Sequence, residues 1–337
     1  LNMSMPATAQ PDYPGRILVI RLGSMGDVIH TLPAAATLKH SFPAASLCWA
    51  IDPRWACLLE DNTFVDEIIP LDRRSLRGIL ESFRRLRVGK FSLVVDFQGL
   101  IKSALAASVA RASCIYGFHQ SQAREPLAAL FYSHRVKTQA AHVVDRNLEL
   151  ASATGASAVV KAFPIPAGTA EGELPGEDFV LASPLAGWPA KQWPLENYVR
   201  LATLLKQRLG LPLVLNGAPG AAPLLNSLPG VRIHLSSIPG LIHATRRALA
   251  VVGIDSGPLH LAAALQKPGV ALYGPTDPAR NGPYGGSFTV IRSPEAVTSY
   301  KRGRQISPSM QAIPPELVFE AVEDRIAGFG RRAFANK

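Results

Sequence analysis

The residues able to do chemistry in this 337-residue chain gather at turns that directly follow apolar runs. After Ile17-Leu18-Val19-Ile20 comes Gly23-Ser24-Met25-Gly26-Asp27, and then a stretch with helical character. Glycines at such a place let the backbone turn tightly and approach a ligand, and a helix start offers N–H groups to an anion. Asp27 near that start has two readings. It can cap the helix, a stabilisation of about 1 kcal/mol, or it can present a carboxylate as a general base. Spacing alone leaves both open. The turn is neither GxGxxG with a ribose-binding acid nor GxxxxGK[ST], so dehydrogenase and P-loop readings lose ground.

A second turn is Gly253-Ile254-Asp255-Ser256-Gly257-Pro258-Leu259-His260. Ser256, Gly257 and the helix start that follows them make a diphosphate cradle, because N–H groups and the helix dipole favour negative charge. His260 lies one turn further on and reads equally as a core residue. Tyr273-Gly274-Pro275-Thr276-Asp277 follows another apolar run and could close over the same ligand. Lys191-Gln192-Trp193-Pro194 precedes a helix, where a lysine serves as a phosphate counter-ion or stands solvated beside an anchoring tryptophan. Asp96-Phe97-Gln98-Gly99 ends a further apolar run, and Asp96 and Gln98 either line a site or tie down the loop. Arg73, Arg74, Arg77, Arg124 and Arg146 make a basic set in the first half of the chain. They are either solvated surface or the binding groups for a second anionic ligand.

These turns need strands and helices to hold them. Apolar runs predict strands over 16–21, 47–51, 67–71, 91–96 and 114–116, with helices over 34–40, 74–88 and 100–112. In the helix over 74–88 the spacing places Leu76, Ile79, Leu80, Phe83 and Leu86 on the apolar side. A second series has strands over 179–183, 212–216, 251–254 and 269–273, and helices over 195–209, 238–250, 257–265 and 315–327. Alternating strand and helix in both halves predicts an α/β chain of two doubly wound domains, over 1–165 and 166–337, with the last helix able to return to the first domain. Two such domains would face each other across a cleft, with ligands beyond the carboxyl ends of the strands.

Composition excludes several classes. Hydrophobic residues are 47% and charged residues 18%, which rules out a disordered chain. The longest uncharged run, 209–231, carries Gly210, Pro212, Gly217, Pro219, Gly220, Pro223, Pro229 and Gly230, too many breakers for a membrane span. Residues 1–15 lack the basic start and apolar centre of a secretory signal and read as a loose leader. Cys48, Cys57 and Cys114 have no metal-type spacing and suit a reducing cytoplasm, as buried structural thiols. The formal net charge of +10 attracts nucleic acid, anionic lipid or phosphorylated substrates. Nucleic acid ranks low, since no basic–aromatic platform accompanies the charge.

Taken in order, these segments resemble the bacterial heptosyltransferases of glycosyltransferase family 9 over nearly the whole chain. The resemblance rests on residues 16–27 with His30-Thr31-Leu32-Pro33, on 96–103, on Gly117-Phe118 with Ala123-Arg124-Glu125, and on 142–147. Lys191-Gln192-Trp193-Pro194, 255–260 and 273–277 complete it. It implies a GT-B fold of two Rossmann-like domains, the first for the acceptor and the second for the nucleotide-sugar. It implies inverting transfer of L-glycero-D-manno-heptose from ADP-heptose to a Kdo residue of the lipid A inner core, with no metal or other cofactor. Asp27 matches the general base, Lys191 the lysine that stabilises the leaving phosphate, and Asp255, Ser256, Gly257 and His260 the donor loop. Ser24, Met25, Gly26, Gln98 and the five arginines fall on the acceptor side, where they would meet Kdo carboxylates and lipid A phosphates. The implied location is cytoplasmic, peripheral on the inner-membrane face.

The chain departs from the family pattern in three places. Ala186-Gly187-Trp188-Pro189 stands where hydroxyl residues usually precede the donor lysine. Gly217-Ala218-Pro219-Gly220 lacks the usual acid, and Ser256 replaces a commoner threonine. Two other readings are another family 9 glycosyltransferase with a different sugar or acceptor, and a nucleotide-sugar-binding protein without catalysis. Asp27 discriminates the last, because a binder needs no carboxylate beside an acceptor.

Overall fold

The computed structural model describes residues 15–300 and 303–335, with side chains of the final helix described as far as 328. The leader expected at 1–15, apart from Gly15, and the basic side chains at the C-terminus lie outside the described residues. The chain divides into two compact units, one of Leu1–Gly23 with His30–Pro164 and one of Ser24–Ile29 with Ile165–Lys337.

The first unit holds a parallel sheet of β1 (Arg16–Ile20), β2 (Ser46–Ile51), β3 (Glu67–Pro70), β4 (Phe91–Asp96), β5 (Cys114–Phe118) and β6 (His134–Val136), in the order β3-β2-β1-β4-β5-β6. The second unit repeats it with β7 (Val180–Ala182), β8 (Leu213–Gly217), β9 (Arg232–Leu235), β10 (Ala250–Ile254), β11 (Gly269–Tyr273) and β12 (Phe288–Arg292), ordered β12-β11-β10-β7-β8-β9. Parallel neighbours need crossovers that cover both faces, so central strands are apolar without alternation. Ile17, Leu18, Val19 and Ile20 are accordingly all inaccessible to solvent. In both sheets the strand order reverses beside the first strand, between β1 and β4 and between β7 and β10. Loops at such switch points are where doubly wound sheets bind ligands.

A short α1 (Met25–Ile29) follows β1, and α2 (Leu32–Ser41), α3 (Leu76–Val88), α4 (Ile101–Val109) and α5 (Val143–Ser152) complete the first set of helices. The later helices are α6 (Leu195–Leu209), α7 (Ala222–Leu225), α8 (Ile238–Arg247), α9 (Gly257–Ala264), α10 (Pro278–Asn281), α11 (Pro308–Gln311) and α12 (Pro315–Ala335). Leu18, Ile20, Cys48, Ala50 and Val94 pack with Leu86 of α3 and Ala106 and Ala107 of α4 to make one face of the first core. Val318, Phe319 and Val322 of α12 belong to the second core with Trp193 and Leu201. The described part of α12 therefore lies on its own sheet and α6.

Two further differences from the sequence reading have physical causes. Strands β6, β9 and β12, helix α5 and the one-turn helices α7, α10 and α11 carry no prediction. The three strands are sheet edges: β6 and β9 carry exposed arginines, Arg135 and Arg232, and β12 mixes Thr289 and Arg292 with an exposed Val290. In α3, Leu76 and Leu80 were expected on the buried side but are 81% and 70% exposed, whereas Ser82 and Leu86 are buried. The helix settles on the face through Ser82 and Leu86, and a 3.6-residue period turns Leu76 and Leu80 outward. Cys48 is buried while Cys57 and Cys114 are half-buried, all three as free thiols. Among the described residues no helix is long and apolar enough to cross a membrane.

Candidate active site

The first switch point is built by the loops after β1 and β4. Gly23 has φ 143°, and a Cβ there would sit 2.5 Å from Trp55 Nε1, so both the turn and the close approach require glycine. The Leu22 N–H donates to Gln98 Oε1 at 3.0 Å, and the Arg21 guanidinium donates to the Phe97 carbonyl. Gln98, placed among the acceptor groups by resemblance, therefore has its amide oxygen tying one loop to the other. Asp96 is fully buried and accepts from Tyr132 Oη at 2.7 Å, Ser103 Oγ at 2.8 Å and the Gln98 N–H at 2.8 Å. Burial pushes its carboxyl up, and these donors oppose the shift. Its work is to freeze the loop, not to line a site.

Asp27 is the third residue of α1. Its Oδ2 accepts from the Ser24 N–H at 3.0 Å and from Ser24 Oγ at 3.2 Å, so the capping interaction is present. Ser24 is exposed, while Met25 and Gly26 are buried. Although α1 follows a strand of the first sheet, Ser24–Ile29 belongs to the second unit, within which α1 packs with α9. A Cβ on Gly26 would lie 2.5 Å from His260 Cδ2, and one on Gly257 would lie 2.8 Å from the Met25 side chain. Asp27 is thereby carried on a turn that leans against the α9 start. Gly26→Ala is expected to cost about 1–3 kcal/mol by overpacking against His260, read as a lower Tm.

The second switch point gathers most of the expected donor residues. Lys191 ends a 3-10 turn, Pro189–Lys191, and its Nζ lies 2.6 Å from Asp255 Oδ2 and 4.3 Å from the centre of the Trp188 ring. The two side chains are 15% and 5% exposed, so this pair is largely out of water. His260 Nε2 stands 3.5 Å from the other oxygen, Asp255 Oδ1. Burial alone would raise the Asp255 carboxyl, but the His260 hydrogen bond and the Lys191 charge more than offset it, holding Asp255 well below the usual carboxylate range. The result is an anion that fixes a lysine above a helix start. Ser256 is the N-cap of α9 with no side-chain cap, and its buried Oγ finds no partner among the described residues. Buried hydroxyls without partners are uncommon, and one at a helix start is placed to hydrogen-bond a bound group.

Sequence reasoning names Thr276 only within the turn 273–277 and misses Lys102 of the first unit. Thr276, just beyond β11, is 1% exposed, and its Oγ1 has no partner among the described residues. A hydroxyl in the turn after the strand next to β10 was the available signal. Lys102 stands in the first turn of α4, where the helix dipole disfavours a cation. Partial desolvation and the charges of Arg73 and Arg124 push its ammonium down, while Glu125 and Asp52 act the other way. A cation in that position is suited to an incoming anion.

Of the five arginines, Arg73 and Arg124 are the two whose charges act on Lys102. Arg73 Nη2 also pairs with Asp52 Oδ2 at 2.9 Å. Arg74 and Arg77 are exposed beside it, at the start of α3. Arg146 is placed differently, on α5, which packs with α2, and its Nε donates to the Ala140 carbonyl at 2.8 Å. Asp52 is held at about 2 by hydrogen bonds from the Arg54 guanidinium, against partial burial, with further help from the Arg54 N–H and Arg73. A depressed carboxylate stabilises the fold above its ordinary value of 3.8, and that stability is lost as pH falls through about 2. The Tm gap between the protein and Asp52→Asn should therefore be widest near neutrality and close in acid. Among the described residues no group of three metal-ligating side chains occurs.

Two repeated Rossmann-type sheets, each with polar loops at its switch point, are the architecture of the GT-B fold. Residues 79–308 match the model of glycosyltransferase family 9 (heptosyltransferase). The chain is 32% identical over 309 residues to lipopolysaccharide heptosyltransferase 1 of Salmonella typhimurium, covering 83% of this chain and 95% of that protein. It is 30% identical over 297 residues to lipopolysaccharide heptosyltransferase 1 of Pseudomonas aeruginosa, covering 81% and 82%. The fold matches the E. coli heptosyltransferase WaaC with ADP at a TM-score of 0.75 and 27% identity, over 92% of this chain and 99% of that one. It matches the family 9 glycosyl transferase of Veillonella parvula at 0.81 and 22% identity, over 96% and 100%. The chain belongs to glycosyltransferase family 9.

Proposed function

We propose that this enzyme transfers L-glycero-D-manno-heptose from ADP-heptose to a Kdo residue of the lipid A inner core, with inversion and without a metal. Asp27 takes the proton of an acceptor hydroxyl as its oxygen attacks the anomeric carbon opposite the diphosphate. Lys191 and the N–H groups opening α9 receive the charge that develops on the departing ADP. Asp255 keeps Lys191 in place, and Ser256 and His260 complete the donor loop with Gly257. Arg73, Arg74, Arg77 and Arg124, joined by Lys102, meet the carboxylates and phosphates of the acceptor. The enzyme works peripherally at the cytoplasmic face of the inner membrane, whose anionic lipids favour its basic surface.

The observation that carries this reading is the buried Lys191–Asp255–His260 group at the start of α9. It predicts that ADP binds roughly tenfold or more tightly than AMP, since the terminal phosphate makes the charge-assisted contacts. Calorimetric titration of both nucleotides checks this, and equal affinities would remove the diphosphate site. A different nucleotide-sugar is the second reading, favoured by the Ala186–Pro189 and Gly217–Gly220 departures. In the first of these Trp188 supports Lys191 from below its ammonium where a hydroxyl would have offered a ligand contact.

A further inference from the structure

We infer that α3, α4 and the 3-10 turn Pro126–Phe131 form a surface that docks onto an anionic phospholipid bilayer, with leucines entering the headgroup region. These three elements follow β3, β4 and β5, with α4 packed against α3 on one side and against the turn on the other. Each presents large apolar side chains to solvent. Leu76 and Leu80 of α3 are 81% and 70% exposed, Leu127 and Leu130 of the turn 61% and 67%, and Leu105 of α4 41%. The spacing is not random. Leu76 and Leu80 are four residues apart in an α-helix, and Leu127 and Leu130 three apart in a 3-10 turn, so each pair shares one side of its element. Scattered exposed leucines need no explanation, but several on adjoining elements do.

Charge identifies what covers them. Along α3, Arg77 between the two leucines and Arg84 and Arg87 beyond them are exposed, while Glu81 is paired with Arg85 at 3.2 Å. A protein partner that buried this face would have to desolvate those guanidinium groups, whereas an anionic lipid surface satisfies them in the headgroup layer while the leucines reach the acyl boundary. That mixture of basic and apolar side chains on one helix face is the pattern of an interfacial helix. The position also fits. Leu76 opens α3 just beyond the carboxyl end of β3, next to Arg73 and Arg74, so a membrane on this face would bring a lipid-anchored acceptor to the arginines assigned to it. The inference rests on the proposed lipid acceptor for its purpose, and on the leucines and arginines for its physics.

The test is flotation of the full chain with vesicles of phosphatidylcholine alone and of phosphatidylcholine mixed with phosphatidylglycerol. The protein should partition onto the mixed vesicles and not onto the zwitterionic ones. Leu76→Ser with Leu80→Ser, and separately Leu127→Ser with Leu130→Ser, should each lower that partitioning by roughly tenfold or more, the order expected from losing two inserted leucines. Leu224→Ser, an exposed leucine of the second unit, should leave it unchanged, and all variants should melt like the parent. Leu80→Trp should give a blue-shifted emission on the mixed vesicles. Serine variants that partition like the parent, an unshifted Leu80→Trp emission, or no binding to the mixed vesicles would each overturn the proposal. So would a dimer that the serine substitutions dissociate without any lipid binding, which would make the face a contact between two copies of the chain. On a deacylated, water-soluble acceptor the serine variants should turn over like the parent. If the parent turns over no acceptor while the variants still lose vesicle binding, the transferase reading fails and the docking surface stands.

Discussion

Asp27→Asn is expected to lower kcat by roughly 10²–10⁴-fold, the range for losing a general base, while ADP affinity changes little. Asparagine is the informative replacement because its side-chain oxygen can still accept from the Ser24 N–H, as Asp27 Oδ2 does at 3.0 Å. The cap is thus kept and the base removed. Asp27→Ala removes both and should add a stability loss of about 1 kcal/mol to the same catalytic defect. Steady-state transfer rates, Tm and ADP titration together separate the two roles. An Asp27→Asn enzyme with near-normal turnover would leave Asp27 as a helix cap alone.

Lys191 carries the second large effect. Removing it as Lys191→Met strands a carboxylate that is 5% exposed, and breaking a buried pair by losing one partner costs about 3–5 kcal/mol. ADP affinity should fall by roughly tenfold or more as the charge-assisted phosphate contact is lost. The double variant Lys191→Met, Asp255→Asn distinguishes fold from ligand. Removing both charges should restore most of the Tm, because no unpaired ion remains, but should not restore ADP binding. Recovery of ADP binding in the double variant would reduce Lys191 to a structural counter-ion. The pair also sets an acid limit. Asp255 is depressed below its ordinary value, so its contribution is intact at neutral pH and is lost as pH falls through the folded value.

The central strands and the turns after them were legible because each is an apolar run closed by glycine and a polar residue. Such runs mark β1, β4, β10 and β11, and they lead to Asp27, Asp96, Asp255 and Thr276. Edge strands were not legible. Arg232-Ile233-His234-Leu235 pairs on one side only and so carries no continuous apolar signal. Periodicity also misled at α3, where Leu76 and Leu80 satisfy a helical pattern without facing the core. A count of apolar positions cannot tell a buried stripe from a second, outward one. Nor could the sequence assign work to neighbours in space. Gln98 looked like a ligand group, yet its oxygen holds the β1 loop through the Leu22 N–H at 3.0 Å. Lys191 and Asp255 are 64 residues apart, and no local spacing announces their ion pair.

The most direct measurement is transfer from ADP-heptose to Kdo-lipid A that lacks heptose, followed by mass spectrometry, with and without EDTA. The account predicts a gain of one heptose that survives the chelator. A folded protein that binds ADP and yields no such product would contradict the assigned sugar or acceptor, and a product abolished by EDTA and restored by a divalent cation would contradict the role given to Lys191 and the start of α9.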